Sequence, residues 1–140
     1  RVAAEIKRLQ IVNTESRKIE KARKYIEEEI LVLACPSCRQ AFVDFEGCCA
    51  LSCPRCKCAF CAYCLEDCGA DAHAHVGRCQ WNPRRDVFAR KDRFELAQAQ
   101  RRVRMLRAFV ASLSPPVRRR VLEACAQELQ DLNIAVQDLL

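Results

Sequence analysis

The amino-acid sequence predicts an α-helical framework carrying a small, metal-stabilised β module, with long helices flanking a compact cysteine-rich segment. Three observations predict it. The cysteines crowd into CxxC pairs between residues 35 and 79. Apolar residues recur at helical spacing on both sides of that segment. All three glycines, Gly47, Gly69 and Gly77, fall inside it.

Residues 1–34 read as one amphipathic helix. Val2, Ile6, Leu9, Val12, Ser16, Ile19, Ala22, Ile26, Ile30 and Leu33 follow one another in steps of three and four. Those steps place them on one helical face, close to a coiled-coil seam. Asn13-Thr14 is the one expected irregularity. Residues 35–80 form the middle module, with short strands predicted at 41–45 and around 59–60. Residues 82–140 read as a helical hairpin and tail. Asn82-Pro83 supplies an N-cap and a first-turn proline, and a helix follows to about residue 113 through Leu96, Ala99, Val103, Leu106 and Val110. Ser114-Pro115-Pro116 stops that helix and starts another, running to about residue 132. The tail 133–140 fits a strand or a helical turn. The two long helices each expose one apolar seam; the economical arrangement pairs them antiparallel, and pairing with another part of a longer protein is the alternative.

The chain of 140 residues is one domain, or one domain with helical extensions. It begins at Arg1, without a Met and inside a helical pattern, so a piece of a longer protein is expected. No apolar stretch approaches the roughly 18–20 residues that span a bilayer, and no leader pattern is present. A soluble chain without a membrane role is expected.

Twelve cysteines could mean a disulfide scaffold or metal sites. Adjacent CxxC pairs with histidines nearby present thiolates to a tetrahedral ion. They close loops too short for a disulfide to gain much from chain entropy. Zinc is therefore expected, two ions in all, in a reducing intracellular compartment, cytoplasmic or nuclear. A segment this short has little apolar surface of its own, and structural zinc contributes about 10–16 kcal/mol of apparent free energy.

Written with its gaps, the module is Cys35-x2-Cys38-x9-Cys48-x4-Cys53-x2-Cys56-x4-Cys61-x2-Cys64, followed by Cys68, His73, His75 and Cys79. This spacing resembles the catalytic RING (Rcat) domain of RING-between-RING ubiquitin ligases over residues 35–79. The resemblance implies that Cys35, Cys38, Cys53 and Cys56 hold one zinc. Cys61 and Cys64 would hold the second with two ligands from the stretch 68–79. His75 with Cys79 is the preferred pair; Cys68 with His73, and His73 with Cys79, are alternatives. It also implies that Cys48, spare in the metal count, is the nucleophile that accepts ubiquitin as a thioester from a conjugating enzyme and passes it to an amine. A thiol is well suited to that step, and Gly47 gives the backbone freedom to present it. The neighbouring Cys49 is the alternative thiol. Many relatives place a histidine two residues after the nucleophile, where this chain has Ala50, and His73 could supply the base instead. The in-between-RING domain has similar ligand order without a nucleophile, but its first cysteine pair is usually more widely spaced. It sets the second expectation, a non-catalytic zinc scaffold for protein–protein interaction.

Charge is uneven. Residues 84–120 hold twelve basic side chains against Asp86, Asp92 and Glu95. Nucleic-acid binding is a third, weaker expectation, because these arginines fit the polar face of an amphipathic helix and no Tyr or Trp interleaves them for stacking. Trp81 is expected to cover the second metal and join it to the helix. Cys58 and Cys125 are expected to be structural, Cys125 as a small buried apolar residue.

Overall fold

The computed structural model describes residues 1–140. The chain is mostly helical with one two-stranded sheet, in the order α1 (Val2–Tyr25), a π-helical turn (Ile26–Leu31), β1 (Ala50–Ser52), β2 (Ala59–Cys61), α2 (His73–Arg78), α3 (Lys91–Ala111), α4 (Pro115–Ala124), α5 (Ala126–Asp131) and a 3₁₀ turn (Val136–Leu139). No helix is long and apolar enough to cross a membrane. Two compact units result: Glu28–Arg104, and Arg1–Glu27 with Met105–Leu140.

In the second of these, α1 runs without a break through Asn13-Thr14. The irregularity expected there is absent because the Thr14 hydroxyl turns back onto the Gln10 carbonyl at 2.8 Å, a bond compatible with a helix interior. Its main helical partner is α4, not α3 as the two seams suggested. Val121, Leu122, Cys125 and Leu129 supply the buried face of α4 and α5. Tyr25 stacks on Phe109, ring centroids 4.6 Å apart. Val2, Ile6, Leu9 and Val12, which begin the seam, are exposed.

The helix expected to run on to about residue 132 breaks at Cys125, which leaves helical geometry at φ −94°, ψ 6°. The thiol itself is fully buried there, and burial pushes it up to about 11, as a small apolar residue at a corner would be. The tail resolves as the 3₁₀ turn, held by Arg107, whose Nη2 donates to the Asp138 carbonyl at 2.6 Å.

In the unit Glu28–Arg104, β1 and β2 pair antiparallel with Ala50 opposite Cys61, Leu51 opposite Phe60 and Ser52 opposite Ala59. In the core of the cysteine module, Leu33, Leu51, Phe60 and Val76 are the buried large apolar groups, set among cysteines, and Phe42, Phe45, Leu65, Val87 and Phe94 pack around them partly buried. The strand expected at 41–45 does not form. Only Ala41 pairs, through a bridge to Ala34, because the chain there closes the turn after Cys38 and then leaves the ladder. The helix expected from Asn82-Pro83 begins instead at Lys91. Asn82 is buried with its amide donating to the carbonyls of Val76 and Asp86, so it staples a loop and caps no helix. Arg85 follows in left-handed conformation, φ 56°.

The arginines of α3 contradict the reading of a solvated face. Arg101 is fully buried; its Nη1 donates to the Ile30 carbonyl at 2.9 Å and its Nε to Gln98. Arg102 donates to the Leu31 carbonyl, also at 2.9 Å, and Arg104 to that of Tyr63 at 2.7 Å. Ile30 and Leu31 end the π-helical turn, where carbonyls have no helical partner and the dipole favours a cation. Gln98 donates to Ala62 across the unit. These bonds dock α3 on the cysteine module. Burial, then Arg102 and Arg104, lower Arg101 to about 10, still charged at neutral pH. Arg101→Ala is expected to cost about 3–5 kcal/mol by stranding buried polar groups, and Arg101→Lys to rescue it poorly, lacking the fork. Urea unfolding followed at Trp81 measures both; a loss within 1 kcal/mol for Arg101→Ala would show that the bonds are dispensable.

Candidate metal centres and nucleophile

Each of the three CxxC segments folds as the same turn. The first cysteine carbonyl accepts the N–H four residues on: Arg39 to Cys35, Lys57 to Cys53, Leu65 to Cys61. The first cysteine N–H returns to the carbonyl five residues on: Gln40, Cys58 and Glu66. The residue after the second cysteine is left-handed each time, at φ 68°, 66° and 62° for Arg39, Lys57 and Leu65. Such a turn aims both sulfurs to one side and points backbone N–H groups at the first, as Ser37 does at Cys35 and Tyr63 at Cys61. Those N–H groups stabilise thiolate over thiol.

The first two turns meet. Cys35, Cys38, Cys53 and Cys56 bring their sulfurs within 4.8 Å of one another, with Cys35–Cys56 at 3.5 Å and Cys38–Cys53 at 3.6 Å. A tetrahedral ion with bonds of about 2.3 Å to sulfur separates its ligands by roughly 3.8 Å, so the four fit one zinc. The Cys56 N–H, with that of Arg55 and against burial, holds Cys53 down to about 6.

The third turn meets α2. Cys61, Cys64, His75 and Cys79 also lie within 4.8 Å of one another. The helix places His75 one turn before Cys79, and the His75 Nε2 is 3.2 Å from the Cys64 sulfur. Its Nδ1 is 2.8 Å from Glu66 Oε2. A carboxylate behind an imidazole fixes Nε2 as the ligating nitrogen, the outer partner that no sequence reading could supply. Cys64 is brought down to about 5, chiefly by its contact with Cys61, while Cys61 is pushed up. Of the pairs considered for this cluster, His75 with Cys79 is the one assembled. Cys68 groups only with Glu66 and His75 on the rim. Glu66→Gln is expected to weaken metal at this cluster about 10–100-fold and leave the first unchanged. Competition with a chelating dye measures it, and equal affinity would show Glu66 to be a bystander.

His73 goes elsewhere. It opens α2 with its Nε2 3.7 Å from the Cys48 sulfur and its Nδ1 2.5 Å from Asp71 Oδ1. That hydrogen bond, first of its causes, holds the Asp71 carboxyl below the usual range. Cys48 belongs to neither sulfur cluster and is half-buried. Its backbone is pinned between two bonds to the segment 87–89: Cys49 N–H to the Val87 carbonyl at 2.8 Å, and Ala89 N–H to the Gly47 carbonyl at 2.9 Å. Gly47 stands at φ 104°, which a side chain would strain. Cys49 points the other way, buried against the Tyr63 hydroxyl, and burial pushes it up. Cys58 is buried too and raised to about 12, first by burial and then by Asp67.

The Trp81 backbone N–H points at the Cys79 sulfur, and its ring lies under Arg104, whose guanidinium carbon is 4.0 Å from the ring centroid. It thus joins the second cluster to α3 while staying partly exposed. The helix α2 itself was missed in the sequence. Its six residues include Gly77, and its periodicity is too short to read. Comparison with family models, curated proteins and solved structures returns no match.

Proposed function

We propose that the cysteine module is the catalytic part of a transthiolating ubiquitin ligase, similar to Rcat. Cys48 would take ubiquitin from a conjugating enzyme and pass it to an amine. One observation carries this reading: an accessible thiol outside both metal clusters faces His73, which is oriented in turn by Asp71. A nucleophile, a base and a group that orients the base are the parts that acyl transfer needs.

With Nδ1 donating to Asp71, His73 Nε2 is the nitrogen left to accept the Cys48 proton. The thiolate attacks the carbonyl carbon of the incoming thioester. The new C–S bond forms on Cys48, the donor's C–S bond breaks, and the departing thiolate takes the proton from His73. In the second half an amine attacks the Cys48 thioester, His73 accepts its proton, and Cys48 leaves as the thiol. His73 thereby replaces the histidine whose place Ala50 occupies. Zinc in the two clusters would hold the loops in place and supply no group to either step.

The approach to the thiol supports a peptide donor. Phe42, Asp44, Glu46, Cys48, Ala50, Leu51, Ser52 and Pro54 line one groove beside the thiol. Asp44 and Glu46 are exposed and belong to none of the chain's ion pairs, so the groove suits a donor tail carrying positive charge. Incubation with a charged conjugating enzyme should yield a ubiquitin adduct on this chain that DTT removes. A DTT-resistant adduct, or none with any conjugating enzyme, would instead favour the scaffold.

A further inference from the structure

The unit Glu28–Arg104 leaves few large apolar side chains exposed, and three of them, Trp81, Phe88 and Leu96, converge on one cleft of about 250 Å³. Single exposed apolar residues need no explanation, whereas a cluster of them marks a contact surface. Leu96 and Ala97 of α3 line it, with Tyr63 and with Trp81 and Phe88 of the loop before α3. Arg84, Arg90 and Arg93 line the same cleft, with Asp86 the one acid among its lining residues. Asp86 already accepts the Phe88 N–H at 3.0 Å. Arg90 pairs with Asp92 at 3.7 Å, while Arg84 and Arg93 belong to none of the chain's ion pairs.

The geometry points to this cleft as the docking site for an acidic peptide segment that inserts one apolar side chain between Trp81, Phe88 and Leu96. Its flanking carboxylates meet Arg84 and Arg93. An apolar anchor in a pocket with charges at the rim is how such contacts gain both affinity and direction. A nucleic-acid base fits less well. One face of the Trp81 ring is covered by Arg104, and Asp86 opposes phosphate.

The site also has a route to the thiol. Phe88 forms the backbone bridge to Cys48, so an occupant packs against the segment that holds the nucleophile. Docking itself does not depend on ubiquitin transfer.

The probe is a fluorescein-labelled synthetic peptide with a central Leu between three Asp and three Glu, titrated against the full 140-residue chain. Binding should weaken a few-fold between 50 and 200 mM salt, because salt screens the exposed charge contacts at the rim. Arg84→Glu with Arg93→Glu should weaken it at least tenfold and create binding to the matching Lys/Arg-flanked peptide. Leu96→Asp should abolish it. All three positions lie on the surface or close to it, so two bound metals and an unchanged circular dichroism spectrum should accompany each variant. Trp81 is the chain's one tryptophan, and its emission on titrating the unaltered protein gives a reading that needs no variant. Equal affinity for acidic and basic peptides, or unchanged Trp81 emission at saturation, would overturn the proposal. So would a single-stranded oligonucleotide that binds more tightly than the peptide and loses affinity in the same double variant.

Discussion

Cys48→Ala is expected to end ubiquitin transfer while the chain keeps two equivalents of zinc and its unfolding midpoint. The residue is outside both four-ligand clusters, and removing one half-buried sulfur leaves no large cavity. Cys48→Ser should trap ubiquitin as an ester that survives DTT, since a hydroxyl can occupy the thiol's place. His73→Ala should lower transfer about 10²–10⁴-fold, the range for a positioned general base. Its metal content should stay at two, because its neighbour His75 and not His73 joins the second cluster. Cys49→Ala is the control: its sulfur is buried against Tyr63, so transfer should survive at some cost in stability. Loss of transfer in Cys49→Ala with retention in Cys48→Ala would move the nucleophile by one residue. Loss of zinc in Cys48→Ala would make that residue a ligand and end the catalytic reading.

Metal removal should have the largest effect on structure. The cysteine module's buried core has only Phe60, Leu51, Leu33 and Val76 as large apolar groups, the other buried positions being cysteine and alanine, and the aromatic residues around it are partly exposed. Metal binding at about 10–16 kcal/mol per structural zinc exceeds what so small a core supplies. A strong chelator should therefore erase the near-ultraviolet signal of Trp81, while much of the far-ultraviolet helical signal persists. Cys53→Ser should do the same at the first cluster and reduce zinc to one equivalent. A chelated chain that keeps its near-ultraviolet spectrum would show that side-chain packing alone holds the module.

Much of the candidate metal sites was legible in the residues. The spacing marks the CxxC pairs, because each closes its own turn by local backbone bonds; that Cys35 and Cys38 share a site with Cys53 and Cys56 came from the resemblance to Rcat, and the structure brings those four sulfurs together. The second cluster was less so. Its last two ligands come from α2, a helix of six residues, and nothing local separates His73 from His75. The two imidazoles lie two positions apart, hence on different sides of a helix turning 100° per residue, and one faces Cys64 while the other faces Cys48. Strand 41–45 and the helix start at Asn82 failed for a common reason. Each has the right residue types, but tertiary hydrogen bonds drew the backbone or the side chain to another partner.

The sequence by itself determined the α-plus-metal fold class, the six cysteines of the CxxC turns and the break at Ser114-Pro115-Pro116. These follow from contacts within a few residues, which composition and spacing encode directly. Only the tertiary structure decided what the arginines of α3 do. Periodicity put Arg101, Arg102 and Arg104 on a polar face and hence in water, yet their guanidinium groups reach carbonyls at Ile30, Leu31 and Tyr63. A helix period records which residues share a side and says nothing of what lies opposite. The same holds for Cys48, whose partner His73 is 25 residues away and arrives through the loop that closes the second cluster. The loop that joins Cys64 to His75 and Cys79 of the second cluster is the one that carries His73 to the Cys48 sulfur.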